Sequence, residues 1–152
     1  MTPEQVYDSI RVAIRSAAEL PIAENEETDV HRRDWVGQFA KSYNTDENDE
    51  SLHFGGTIAQ AMVMMNGTDV SDALHQAAAS ISQQQPTRVD LSSTLDQLAL
   101  AMLTRQPTSQ ESDVFRKRFR SVARQSRQAA LPTAIEDMMW AYLNSSEFVM
   151  VR

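Results

Sequence analysis

Apolar side chains recur three and four residues apart through most of the chain, and this spacing limits the folds open to it more than any other feature. Val6, Ile10, Ile14 and Ala17 follow one another at four, four and three residues, and Leu91, Leu95, Leu98, Met102 and Leu103 repeat the pattern more strongly. Residues placed in this way line one side of a helix, whereas a half-buried strand needs strict alternation. Ala, Leu, Met, Gln and Glu are plentiful, and only 4 of the 152 residues are glycine, so local propensity agrees. The fold class expected is all-α: a single compact bundle of about seven helices without significant sheet, formed by residues 1–152 as one domain. No repeat of solenoid period interrupts it. A chain of this size buries roughly 70% of its unfolded surface, enough for a core without covalent staples.

Start and stop signals divide the helices. Thr2-Pro3-Glu4-Gln5 reads as a capped start for a helix that runs to about Leu20, where Pro21 stops it. The acidic connection Glu24 to Glu27 leads to a cap at Thr28 or Asp29 and a second helix, with Val30, Trp35, Val36 and Phe39 inward, fading near Tyr43. After an acidic loop over residues 44–50, Thr57 opens a short helix of Ile58, Ala61, Met62 and Met65, which Asn66-Gly67 closes in a left-handed turn. Asp69 or Ser71 starts the fourth helix, with Leu74, Ala77, Ala78 and Ile81 inward, and Asp90 starts the fifth. Thr108-Ser-Gln-Glu111 is a capping box for a sixth helix expected to bury Val114, Phe115, Phe119 and Val122. Pro132-Thr133 is expected to start the last, which carries Ile135, Met138, Met139, Tyr142 and Leu143.

The formal charge of −7 is unevenly spread, with 14 acids against 5 bases in residues 1–75 and 7 against 9 in residues 76–152, or −9 and +2. An acidic first half opposes broad phosphate contact, so no nucleic-acid partner is expected. With no cysteine, disulfides, thiolate metal sites and cysteine nucleophiles drop out. No stretch approaches the roughly 20 apolar residues of a spanning helix, and the opening residues do not resemble a signal sequence, so no membrane insertion by this segment is expected.

Three ordered blocks carry a family resemblance. His31-Arg-Arg-Asp-Trp-Val-Gly-Gln-Phe39 leads into Gly56-Thr-Ile-Ala-Gln-Ala-Met-Val-Met-Met-Asn66; Leu95 to Glu111 contains Thr-Arg-Gln-Pro-Thr108; and the third block runs Ile135-Glu-Asp-Met-Met-Trp-Ala-Tyr-Leu-Asn-Ser-Ser-Glu-Phe148. Together they resemble the planctomycete-type domain of unknown function 1553, the C-terminal helical region of large multidomain proteins. Ala59 departs from a proline usual in that family. The resemblance implies a domain excised from the C-terminal end of a longer protein, with upstream domains of the same polypeptide as partners and an exported or envelope location. It carries over no catalytic or ligand residue.

His31, His53 and His75 sit in separate elements without a helical metal-ligand pair, and no glycine-rich phosphate loop or nucleophile elbow is present. No metal or other cofactor is expected. Asp34, Asp96, Glu136, Asp137 and Glu147 supply carboxylates that the sequence alone does not bring together; Asp137 reads as an early-turn residue facing the helix dipole, and Asn144 and Glu147 as shaping the last turn. Arg116, Arg120, Arg124 and Arg127 are spaced four, four and three, a basic row along one helix that reads as a solvated face, as a site for phosphates or an acidic protein surface, or as one answered internally by the acidic stretches Glu24 to Glu27 or Asp46 to Glu50. Met64 lies off the buried stripe of its helix and, beside Trp35, would mark an interface. The candidate interaction surface is therefore Trp35, Met64, Arg116, Arg120, Arg124 and Arg127, on a non-catalytic module that docks on or supports other domains. The alternative is part of an enzyme whose acidic site upstream domains complete; a weaker one is nucleic-acid binding through the 116–127 helix. Oligomeric state stays open.

Overall fold

The computed structural model describes residues 3–20, 26–41, 67–85 and 89–149. Among them are seven helices and no strand: α1 Pro3–Ala17, α2 Glu26–Lys41, α3 Thr68–Gln84, α4 Leu91–Leu103, α5 Ser109–Ala123, α6 Arg127–Leu143 and α7 Ser146–Val149. The all-α class holds. The expected helix over residues 57–65 lies outside the described residues, while α7 is a short turn of helix that the periodicity did not predict.

Helix α6 occupies the centre, touching α3, α4, α5 and α7 and burying Ala130, Leu131, Ala134, Ile135, Met138, Met139, Tyr142 and Leu143. Helix α1 closes the other side against α2, α3 and α4. Its buried residues Val6, Tyr7, Ile10, Ala13, Ile14 and Ala17 form the stripe that the spacing requires. One continuous core joins both sides, since Leu74, Ala77, Ala78 and Ile81 of α3 and Leu95, Leu98, Ala99 and Met102 of α4 lie between them.

The helix ends follow local chemistry in most places. Asp90 accepts from the backbone N–H of Ser92 at 3.0 Å and of Ser93 at 3.3 Å, capping α4. The capping box of α5 is complete: Glu111 N–H donates to Thr108 Oγ1 at 3.2 Å and Thr108 N–H donates to Glu111 Oε2 at 2.6 Å. Gly67 has φ −64° and caps the start of α3, so it is not the left-handed stop expected there.

Two burial expectations fail for one geometric reason. Val30 is 44% exposed and Val114 is 55% exposed, because at about 100° per residue Val30 lies about 140° around α2 from Trp35 and Val114 about 100° around α5 from Phe115. The last helix also begins five residues earlier than Pro132 suggests, at Arg127. Ser126 caps it, its Oγ accepting from the Ala129 N–H at 3.3 Å, and burial of Ala130 and Leu131 holds the extra turn. Packing therefore outweighs the hydrogen bond that a proline inside a helix forgoes, a penalty of about 3 kcal/mol in an unsupported helix.

Helix α1 stops at Ala17 rather than Leu20. The Leu20 N–H donates to Arg15 O at 2.9 Å and the Glu19 N–H to Ser16 O at 3.2 Å, a paired closure that requires left-handed backbone at Glu19, whose φ is 53°. A side chain there costs roughly 1–2 kcal/mol that glycine avoids, less the glycine's larger unfolded-state entropy. Glu19→Gly is expected to raise stability by about 0.5–1 kcal/mol in urea denaturation; an unchanged or lowered midpoint would count against this turn.

Candidate functional site

The second and third sequence blocks meet at one side chain. Thr104 ends α4 in left-handed backbone, φ 55°, and so turns the next residue, Arg105, across the hinge. The Arg105 guanidinium then uses all five of its N–H groups. Nε and Nη2 donate to Glu147 at 2.8 and 2.9 Å, Nη1 and Nη2 donate to Glu111 at 3.0 and 2.8 Å, and Nη1 also donates to the Gln106 carbonyl at 2.9 Å. Two carboxylates thus grip one planar fork, a geometry that lysine cannot copy. Because Glu111 is also the capping-box residue of α5 and Glu147 lies in α7, Arg105 ties the start of one helix to the other at the hinge.

The electrostatics match the geometry. Hydrogen bonding from Arg105, opposed by partial burial and aided by the Thr108 backbone, draws Glu111 from the ordinary 4.5 down to about 2. Glu147 is also lowered, chiefly by its bonds from Arg105, and the guanidinium is raised in turn. Beneath them Tyr142 is buried, and its Oη has no hydrogen-bond partner among the described residues. Desolvation, with the Glu111 charge adding to it, pushes that phenol upward, so it stays neutral.

The expected interaction residues separate. Trp35 is only 1% exposed and packs against Tyr7 with ring centroids 5.4 Å apart, so it is a core residue and forms no part of a surface. Met64 lies outside the described residues. Arg116, Arg120 and Arg124 do lie together, lining with Asp113 and Lys117 a shallow depression along the outer side of α5. Arg127 does not join them, because α5 ends at Ala123, the Gln125 and Ser126 N–H groups both donate to Val122 O, and the chain turns before Arg127 begins α6.

The carboxylates also disperse. Asp137 stands well inside α6, not in an early turn, and accepts a hydrogen bond from Arg118 of α5. Glu136 meets His75 Nδ1 at 3.1 Å, joining α6 to α3, and Asn144 Nδ2 donates to Trp140 O at 2.8 Å at the end of α6. Asp34 and Asp96 are on α2 and α4 and line neither the α5 depression nor the groove beside α1. That groove, about 300 Å³, runs between α1 and α3, with Ile10, Ile14, Val70 and His31 among its lining residues and Arg11, Arg15, Asp69 and Asp72 contributing charge. His31 Nδ1 is 3.6 Å from Asp69 Oδ1. Nearby, Arg32 donates to both Asp8 oxygens at 2.9 and 2.8 Å, joining α2 to α1. Among the described residues no three metal-ligating side chains come together, and no helix is long and apolar enough to cross a membrane.

Comparison of the chain with protein-family models, with curated proteins and with solved structures found no match.

The sequence did not single out Arg105, because no helical spacing connects it with Glu111 and Glu147. Two outcomes test its role and that of Trp35. Glu111 is depressed in the folded state, so its stabilising contribution is full above pH 4.5 and is lost as pH falls from there towards 2. Acid unfolding of Glu111→Gln is expected to be shallower over that window, with stability at pH 7 lower by about 2 kcal/mol. Trp35→Ala is expected to cost about 3–5 kcal/mol in denaturant unfolding, where an exposed residue would change stability by about 0.5 kcal/mol at most.

Proposed function

We propose that this chain is a non-catalytic helical module that docks on, or supports, other domains of a larger envelope-associated protein, as its resemblance to the planctomycete-type domain of unknown function 1553 implies. The observation that carries this reading is the engagement of the motif residues with one another. Arg105, Glu111 and Glu147, the most chemically distinctive groups in the second and third blocks, saturate each other's hydrogen bonds and build the joint between α4, α5 and α7. A guanidinium with every donor occupied has none to offer a substrate.

The surface supports the same reading. Helix α5 buries only Phe115 fully, and its outer side is a set of cations. Leu100 is 57% exposed and Trp140 39% exposed, apolar area of the kind that a neighbouring domain covers.

Isothermal titration of the chain with the region of the parent polypeptide that precedes it is expected to give saturable association. A chain that shows no affinity for that region would remove the docking proposal. Conversion of a small-molecule substrate by the reassembled pair, lost on Asp34→Asn or Asp96→Asn, would replace it with the enzyme alternative.

A further inference from the structure

Three arginines among the described residues tie elements together through carboxylates. Arg32 grips Asp8, Arg105 grips Glu111 and Glu147, and Arg118 grips Asp137, each across a contact between elements. On the outer side of α5, by contrast, Lys117, Arg120 and Arg124 have no carboxylate within ion-pair distance among the described residues. Arg116 reaches only Asp113, at 3.8 Å and largely in solvent. Repulsion between like charges one turn apart, Arg116 with Arg120 and Arg120 with Arg124, costs the isolated helix roughly 0.2–0.5 kcal/mol per pair.

From this geometry we infer that the outer side of α5 is the docking face and that its partner is an acidic α-helix of another protein segment, carrying carboxylates one turn apart. The inference rests on the docking reading and names the chemistry of its partner. Arg116, Arg120 and Arg124 rise about 6 Å per step, the same rise that separates Glu residues four apart on a facing helix, so the two rows match without distortion. Guanidinium forks take carboxylates in bidentate fashion, and the row is held ready for them. The capping box and Arg105 hold the N-terminal end of α5, and the Arg118–Asp137 pair holds its flank to α6.

Extent and sign argue for a protein partner over an extended polyanion. The whole chain carries −7, with −9 in its first half, so attraction is confined to the α5 row while the rest of the surface repels a membrane or a nucleic acid. A Debye length of about 8 Å at physiological salt is shorter than the row, about 12 Å, and a helix of matching length feels only the row. Asp113 stands on the same face beside Arg116, where a base on a partner helix answers it and a uniform array of phosphates does not. The face offers a bilayer little apolar area, since the exposed Val114 projects about 60–80° away from Lys117 and Arg124.

The test uses the full chain and a synthetic helical peptide of about sixteen residues, alanine-based, with Glu at every fourth position and one Lys near its C-terminal end. A peptide of the same composition with the Glu register scrambled, a short DNA duplex and phosphatidylserine vesicles serve as comparisons. Fluorescence anisotropy at low and physiological salt is expected to show binding of the register peptide that weakens as salt rises. The scrambled peptide should bind at least fivefold more weakly. The combined Arg116→Gln, Arg120→Gln and Arg124→Gln variant, checked for an unchanged circular dichroism spectrum and melting temperature, should lose at least tenfold in affinity, while Arg127→Gln should lose less than twofold.

Equal binding of both peptides, tighter binding of DNA or vesicles than of the register peptide, or no peptide binding overturns the inference. The two proposals fail separately. If the triple variant still associates with the upstream region as the unaltered chain does, docking stands and the acidic-helix partner falls. If the unaltered chain binds neither the upstream region nor the peptide, both fall.

Discussion

Burial of α6 is the constraint on which the remaining helices depend. Its six large buried side chains, Leu131, Ile135, Met138, Met139, Tyr142 and Leu143, point in directions that no single neighbour covers. At roughly 1.5–3 kcal/mol each they represent about 9–18 kcal/mol of gross apolar stabilisation, comparable with the whole net stability of an ordinary domain. Helices α3, α4 and α5 must therefore all contact α6, and their contacts with it set where everything else goes. The same demand explains why α6 runs through Pro132: the two buried residues before the proline, Ala130 and Leu131, contribute more than the missing hydrogen bond removes.

Around that core the charged side chains act as directional ties. Arg32 to Asp8, His75 to Glu136, Arg118 to Asp137, and Arg105 to Glu111 and Glu147 each join two elements that apolar packing has already brought close. Surface pairs of this kind contribute little energy singly, and their value lies in fixing which turn of one helix faces which turn of another. Arg105 is the exception in strength, because its two carboxylates are bound in forked geometry and one of them also caps a helix. The left-handed backbone at Thr104, unfavourable for a β-branched residue, is the conformational strain that accompanies this placement.

Much of this was legible along the chain because it depends on neighbours in sequence. The stripe of α1, the Asp90 cap, the Thr108–Glu111 box and the inward residues of α4 follow from spacing and cap chemistry within a turn or two. The errors share a different origin. Val30 and Val114 were assigned inward because they are apolar, yet each competes with a larger aromatic residue for the same helix, and the aromatic residue takes the core. Trp35 was expected at an interface, but α1 places Tyr7 against it and closes over it. Arg127 fitted the basic row by spacing, but spacing assumes an unbroken helix, and Ser126 starts a new one.

Residue order alone was sufficient for the helical class, for the starts of α1, α4 and α5, for the absence of thiol chemistry and for the charge imbalance between the two halves, since each is a property of composition or of contacts a few residues long. Folding in three dimensions decided which carboxylates are paired, which aromatic residues are hidden, and that Arg105 joins residues 111 and 147, which spacing does not connect. It also decided that the cations of α5 are left facing outward. Such outcomes depend on the relative rotation and register of helices, which are set by the sum of many packing contacts around α6, so no short stretch of sequence contains them.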